Sequence, residues 1–385
     1  MPPPTGRTTT PWHCASSCWN DCRPKPGKHR MSRTETRMHA WRWFFPAAAL
    51  HAALVIPLSL RTATSHGSEM LTGFGLVVVA GYLLGNLPRR PLAGVFFLWL
   101  GARLAWLFVV PGLQTILQGL FAAAVAVIVI PRFVGPGRKW RNLSLAPLPA
   151  LLAAVSVPLQ LPWLAHQRLL EVMILLYAWL MAFMGGRLIA PAAAGARYHQ
   201  GERLEARVQP ALESWLVGLL AAAVIAAAIT PWSLASSLPI AATALLVAIR
   251  LYRWQLWRCR GRIDLWCLGW GYAWIAVGLM LLAAVPTLGL DFRTALHGLT
   301  IGAMGTLTFN VMLRTAMQRG KVRPQADWLI PTGTLLITAA ALLRLAIPVS
   351  VAQVAMVAGL SALCWSTAWL LLLVRVLIRP LESVG

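Results

Sequence analysis

Acidic side chains are scarce in this sequence: 11 Asp and Glu stand against 34 Lys and Arg, and charged residues of both signs make up only 12% of the chain. A soluble domain carries about 25%. With 58% hydrophobic residues, the apolar surface is too large for one water-facing core to hide. The few carboxylates also avoid the middle of the apolar runs. Glu171 and Glu213 stand at run ends and Glu69 opens one run. A proton-coupled pump with a carboxylate relay at the bilayer centre is therefore not expected.

Cysteine is sparse as well. His13, Cys14, Cys18 and Cys22 form a metal-like tract inside a polar segment, and that tract reads as incidental. Cys267 and Cys364 lie within apolar runs and read as small hydrophobes, and no disulfide is expected. P-loop, dinucleotide glycine fingerprint, zinc-protease and nucleophile-elbow motifs are all missing, which removes soluble-type enzymology. The formal charge of +23 forms no continuous basic stripe and so excludes nucleic acid as the natural partner.

What is present is a series of apolar runs, each about long enough to cross a 30 Å hydrocarbon layer at about 1.5 Å per residue. They lack the alternation of barrel strands, so helices are the form that satisfies the backbone in lipid. Runs at 44–60, 70–87, 92–110, 112–130, 143–164, 169–190, 211–229, 234–249, 265–285, 296–313, 328–347 and 351–378 predict an all-α polytopic membrane helix bundle of about twelve transmembrane helices. Many of the 19 Trp lie beside these runs, as an interfacial belt requires.

Orientation follows from the basic residues, which are retained in the cytoplasm. All but five of the 34 Lys and Arg fall before the first run, in alternate connections and the run ends beside them, or towards the C-terminus. Arg61, Arg168 and Arg293 lie in the other connections, and Arg103 and Arg344 lie inside runs. Both termini are thus expected in the cytoplasm. Residues 1–40 read as a basic disordered segment, with Met31 or Met38 as an alternative start, and residues 41–385 as the membrane domain.

An ionisable residue inside a membrane costs about 2.5–3.5 kcal/mol at a helix centre, so each is a candidate for function. On this topology His66, Glu69, His166, His297, Arg103 and Arg344 share the outer half, and His51 lies within the first run. Neutral imidazoles ligate iron or copper, and nearby arginines neutralise haem propionates. Equally, interfacial His and Arg solvate helix ends. Gly73, Gly81, Gly85, Gly298, Gly302 and Gly305 permit close helix packing or leave room for a flat ring.

Six segments in register resemble the NnrS family of twelve-span bacterial membrane proteins. His66-Gly67-Ser68-Glu69-Met70-Leu71-Thr72-Gly73-Phe74 is similar to its H-x-H-E-M-x-x-G-F element. Gly101-Ala102-Arg103-Leu104, Gly185-Gly186-Arg187-Leu188-Ile189 and Gly271-Tyr272-Ala273-Trp274 resemble three further elements. The longest match runs from His297 through Thr306 to Val311, Met312 and Arg314, and Leu342-Leu343-Arg344 resembles an element of the eleventh span.

The resemblance implies a haem- and copper-containing protein of the bacterial inner membrane, associated with tolerance of nitric oxide and often with denitrification. Three family histidines are replaced, by Ser68, Gly269 and Arg319. Copper is the cofactor most affected. What remains is one haem held by His66 and His297, with Glu69 behind them and the arginines Arg103 and Arg344 facing the propionates. That arrangement predicts that His66 and His297 meet at the outer ends of the second and tenth spans. The competing expectation is a transporter or channel without a redox cofactor, for which twelve spans are common. A haem-copper oxidase subunit is excluded, because four membrane-region histidines cannot supply its ligands.

Overall fold

The computed structural model describes residues 36–62, 66–135, 140–161, 166–320, 327–349 and 353–378. The metal-like tract at 13–22 lies outside them. Within the unit formed by residues 37–385, the described residues are almost entirely helical. In chain order they are α1 (Trp41–Thr62), a π-helical turn (Glu69–Gly75) running into α2 (Leu76–Leu83), α3 (Arg89–Leu107), α4 (Pro111–Val134), α5 (Trp140–Leu143), α6 (Pro147–Ser156) and α7 (His166–Tyr198). Then come α8 (Pro210–Ile229), α9 (Leu234–Arg253), α10 (Ile263–Leu288), α11 (Phe292–His297), a second π-helical stretch (Gly298–Gly305), α12 (Thr306–Arg319), α13 (Leu329–Ala346) and α14 (Val354–Ile378).

Among the described residues, nine helices are long and apolar enough to cross a membrane. Two shorter apolar helices, Glu69–Leu83 and Pro147–Gln160, coincide with two further runs. The last run is α3, which opens on Arg89 and Arg90. The chain is therefore an all-α, multi-pass membrane protein. Its outward surface is apolar: Phe97, Val127, Ile225, Ile229, Leu238, Leu335 and Leu363 are all exposed. Water would penalise such a surface, whereas lipid matches it. Proline sits inside several helices, among them Pro46, Pro57 and Pro239, as membrane helices tolerate.

Run 143–164 is broken where proline dictates. Pro147 opens α6, and Pro158 opens the 3-10 turn Pro158–Gln160, since each proline lacks the amide that would extend the preceding helix. The bundle centre is α7 and α10. α10 packs on α9, on α7, on the second π-helical stretch and on α13, while α1 packs on α14 and α3 on α4. Close approach is made by glycine: a Cβ on Gly278 would stand 2.6 Å from the Leu299 backbone.

One strand pair completes the fold. β1 (Arg37–His39) pairs antiparallel with β2 (Asn86–Pro88), and the Ala40 amide donates to the Gly85 carbonyl at 2.8 Å. Residues 37–40, which composition assigns to the disordered segment, thus belong to the folded unit. Their alternation was too short to stand out from the polar stretch before them.

Candidate functional site

Each candidate ligand is placed by a break in helical regularity. His66 immediately precedes the turn that enters the π-helical Glu69–Gly75, and His297 ends α11 just before the π-helical Gly298–Gly305. π-helical turns concentrate at functional sites because they free backbone groups and re-aim side chains. Asp291 caps α11 by accepting from the Thr294 amide at 2.8 Å. This fixes the helix that carries His297.

The His66 and His297 rings lie with their centroids 6.3 Å apart and their planes tilted by 44°. The His297 Nδ1 contacts the Arg293 carbonyl. A carbonyl only accepts, so Nδ1 carries the proton and Nε2 keeps its lone pair. Burial, and then the nearby Arg344 guanidinium, push the His66 imidazole below its ordinary value, which favours the neutral ligating form. Arg344, near the end of α13, lies within electrostatic range of both rings. It makes no hydrogen bond or close ion pair among the described residues.

Arg103 and Glu69 pair with each other, and they correct an expectation. Both arginines were expected to need an external anion because no carboxylate reached the interior. Arg103 instead donates to the Glu69 carboxylate and to the Gln118 side chain, and both Arg103 and Glu69 are buried. Glu69 opens its run, yet the π-helical turn carries it inward against α3 and α4. Gln114 donates to the other Glu69 oxygen at 2.7 Å and to Gln160 at 2.8 Å. Gln160 donates to the Thr72 hydroxyl at 2.8 Å, and Gln118 to the Thr72 carbonyl at 3.2 Å. His51 of α1 brings Nε2 to 3.7 Å from Glu69, with Trp99 and Trp106 edge-on to its ring.

The π-helical turn is held by side chains from three other helices. Besides the bond from Gln118 of α4, Trp99 of α3 donates to the Gly73 carbonyl at 2.8 Å and Tyr177 of α7 to the Leu71 carbonyl at 2.6 Å. These carbonyls would otherwise be left partly unsatisfied in an apolar interior. Sequence reasoning placed His51 inside the first run without joining it to Glu69, and it missed Thr72, Gln114, Gln118 and Gln160. A signal existed: Gln114 and Gln118 share one face at i, i+4 of an otherwise apolar run.

The glycines serve packing. A Cβ would meet Arg103 and His51 at Gly73, Tyr177 at Gly75, Phe45 at Gly81, Leu281 at Gly298, Trp274 at Gly302 and Trp365 at Gly305. No ring-shaped slot is cleared above these six positions. Two additional ion pairs stabilise the bundle, Arg250 with Glu213 and Arg314 with Asp264. Arg250 and Arg314, which the run boundaries put in connections, are buried within α9 and α12.

The ring spacing is the one that a single metal ion held between the two imidazoles would require. Two imidazoles across one six-coordinate iron, each bonded at about 2 Å, put their ring centres about 6 Å apart. Among the described residues no group of three or more His, Cys, Asp or Glu assembles into a metal site. The three positions at which the resemblance leads one to expect histidines have different neighbours. Ser68 flanks the π-helical turn, the space beside Gly269 is filled by Leu256, and Arg319 lies 3.4 Å from His39.

Neither a curated protein nor a solved structure matches the chain. The family model described as NnrS protein matches residues 36–380, nearly the whole length, and the chain belongs to that family.

Proposed function

We propose that this protein binds one haem between His66 and His297 and acts in protection from nitric oxide. The observation that carries this reading is the pair of imidazoles with centroids 6.3 Å apart, one of them with Nε2 left free by its bond to the Arg293 carbonyl. Haem would supply a redox-active iron, at which a diatomic ligand would have to displace one of the two imidazoles. The protein's part is to hold two neutral imidazoles and to present Arg344 to an acidic edge of the macrocycle. Glu69 supports the site indirectly, through the π-helical turn that follows His66.

The same reading includes twelve spans with both termini in the cytoplasm, in a bacterial inner membrane. The alternation of basic residues supports it, as does the coincidence of the nine long helices, the two short ones and α3 with the twelve apolar runs. The imidazole pair then faces the periplasmic side. A second reading, a transporter or channel without haem, draws on one feature. The buried Glu69 supplies the intramembrane carboxylate that the sequence did not promise, although Arg103 neutralises it.

The deciding measurement is the absorption spectrum of the purified protein with its haem-to-chain ratio. Haem at about one per chain, lost in both His66→Ala and His297→Ala while the folded protein persists, is the expected outcome. A colourless wild-type protein after expression with ample haem would sink the proposal.

A further inference from the structure

A second cluster, at the opposite ends of the helical segments that begin beside His66 and His297, gathers cations with no carboxylate partner for Arg37, Arg132 or Arg319 among the described residues. The turn that follows α2 is its centre. Arg132 of α4 donates Nη1 to the Leu83 carbonyl at 2.6 Å, and Arg37 of β1 donates to the Asn86 carbonyl at 3.2 Å. Gly85 takes a positive φ of 59° there, and a Cβ on it would stand 3.0 Å from the Arg132 guanidinium. Arg319, at the end of α12, lies 3.4 Å from His39, which is two residues after Arg37. Arg187 of α7 comes from the other side, donating to Asn142 at 2.7 Å. Arg187 and Arg319 are both within electrostatic range of Tyr82.

Arg37, Arg132 and Arg319 are exposed, and each makes its contact with a neutral group, a carbonyl or an imidazole. Among the described residues none of the three forms an ion pair with a carboxylate. A guanidinium has five N–H donors, so most of their bonding capacity points outward. Self-repulsion between such groups calls for an anion. The surroundings say which kind: Val134, two residues from Arg132 at the end of the apolar α4, is exposed, and so is Trp140, an interfacial type of side chain that opens α5, whose Asn142 accepts from Arg187.

We propose that Arg37, Arg132 and Arg319 form a binding site for the phosphate group of an anionic phospholipid, whose acyl chains run along the adjoining apolar surface. Arginine suits this task because its planar fork meets phosphate oxygens in pairs. Bound there, the lipid would join β1 to α4 and α12, three segments that no carboxylate links. This site is independent of the haem reading.

The test uses the full-length protein, stripped of lipid in detergent and titrated with phosphatidylglycerol or phosphatidylcholine under native mass spectrometry. One phosphatidylglycerol per chain should be retained, with phosphatidylcholine weaker by about tenfold or more, given the strength of each basic residue for anionic lipid. Arg132→Gln with Arg319→Gln should lower phosphatidylglycerol occupancy about tenfold, whereas the corresponding Lys pair should keep most of it. Should the Gln pair fail to fold, Arg319→Gln alone, at an exposed helix end, should still give a loss of about threefold. Equal binding of the two lipids, or phosphatidylglycerol binding unchanged in a folded Gln variant, would overturn the proposal. Inorganic phosphate displacing phosphatidylglycerol at equal concentration would also overturn it, by making a free anion the occupant.

Discussion

Arg103 donates to the carboxylate of Glu69 inside the bundle, and Gln114 holds the other carboxylate oxygen at 2.7 Å. The two charges close on each other as a neutral pair. Removing one partner leaves the other buried and uncompensated, at a cost of about 3–5 kcal/mol. Glu69→Gln and Arg103→Gln should therefore each lower thermal stability sharply. The double variant should lose less than the two singles combined. Thermal unfolding of the four proteins in detergent gives the coupling, and strict additivity would show that the pair is not the reason for the burial.

Among the described residues Arg344 has no such partner. On the haem reading it meets a propionate, and a charge-assisted hydrogen bond contributes about 1.5–3 kcal/mol. Arg344→Gln should keep both imidazoles in place yet release haem about tenfold more readily. Transfer of haem to an acceptor protein, followed by absorbance, measures this. Retention equal to wild type would remove Arg344 from the site.

The N-terminal boundary can be cut. Deleting residues 2–36 should leave membrane insertion and haem content unchanged, since the paired strand begins at Arg37. Deleting residues 2–40 removes β1 and the Ala40 bond to Gly85, and accumulation in the membrane should fall. Equal loss from both deletions would give the first 36 residues a role that this fold does not assign them.

Reporters of membrane sidedness check the proposed topology. Fusions after Arg141, Arg207 and Arg262 should read cytoplasmic, and a fusion after Asp291 should read external. An external signal after Arg207 or Arg262 would end the twelve-span arrangement.

Much of this fold was legible because lipid imposes a length. Apolar runs of about 20 residues have few structures open to them, and each became a helix. Where proline interrupts a run, as at Pro147 and Pro158, the helix fragments, which the hydropathy of 143–164 conceals. The proximity of His66 and His297 could be inferred because both open spans that run in the same direction. The Glu69 to Arg103 pair could not. Its members are 34 residues apart, and Glu69 stands at the start of a π-helical segment, a departure that no periodicity in the run announces. The glycines carried two meanings in the sequence, and only neighbours such as Trp274 and Trp365 resolve them as packing.

The two π-helical stretches also set a rule for length. A π-helical turn holds one residue more than the α-helix it interrupts, so each stretch stores a surplus residue directly after a candidate ligand. Losing one residue from Glu69–Gly75 or Gly298–Gly305 would let the helix relax to regular winding with the preceding histidine left near its present face, whereas the same loss from the regular helix beyond, in α2 or α12, would turn the two ends of the span against each other by about 100°. In the second case the contacts that seat the histidine would be lost, even with both histidines present. In this half of the protein, a deletion within a π-helical stretch should therefore be tolerated better than one in the regular helix that follows it.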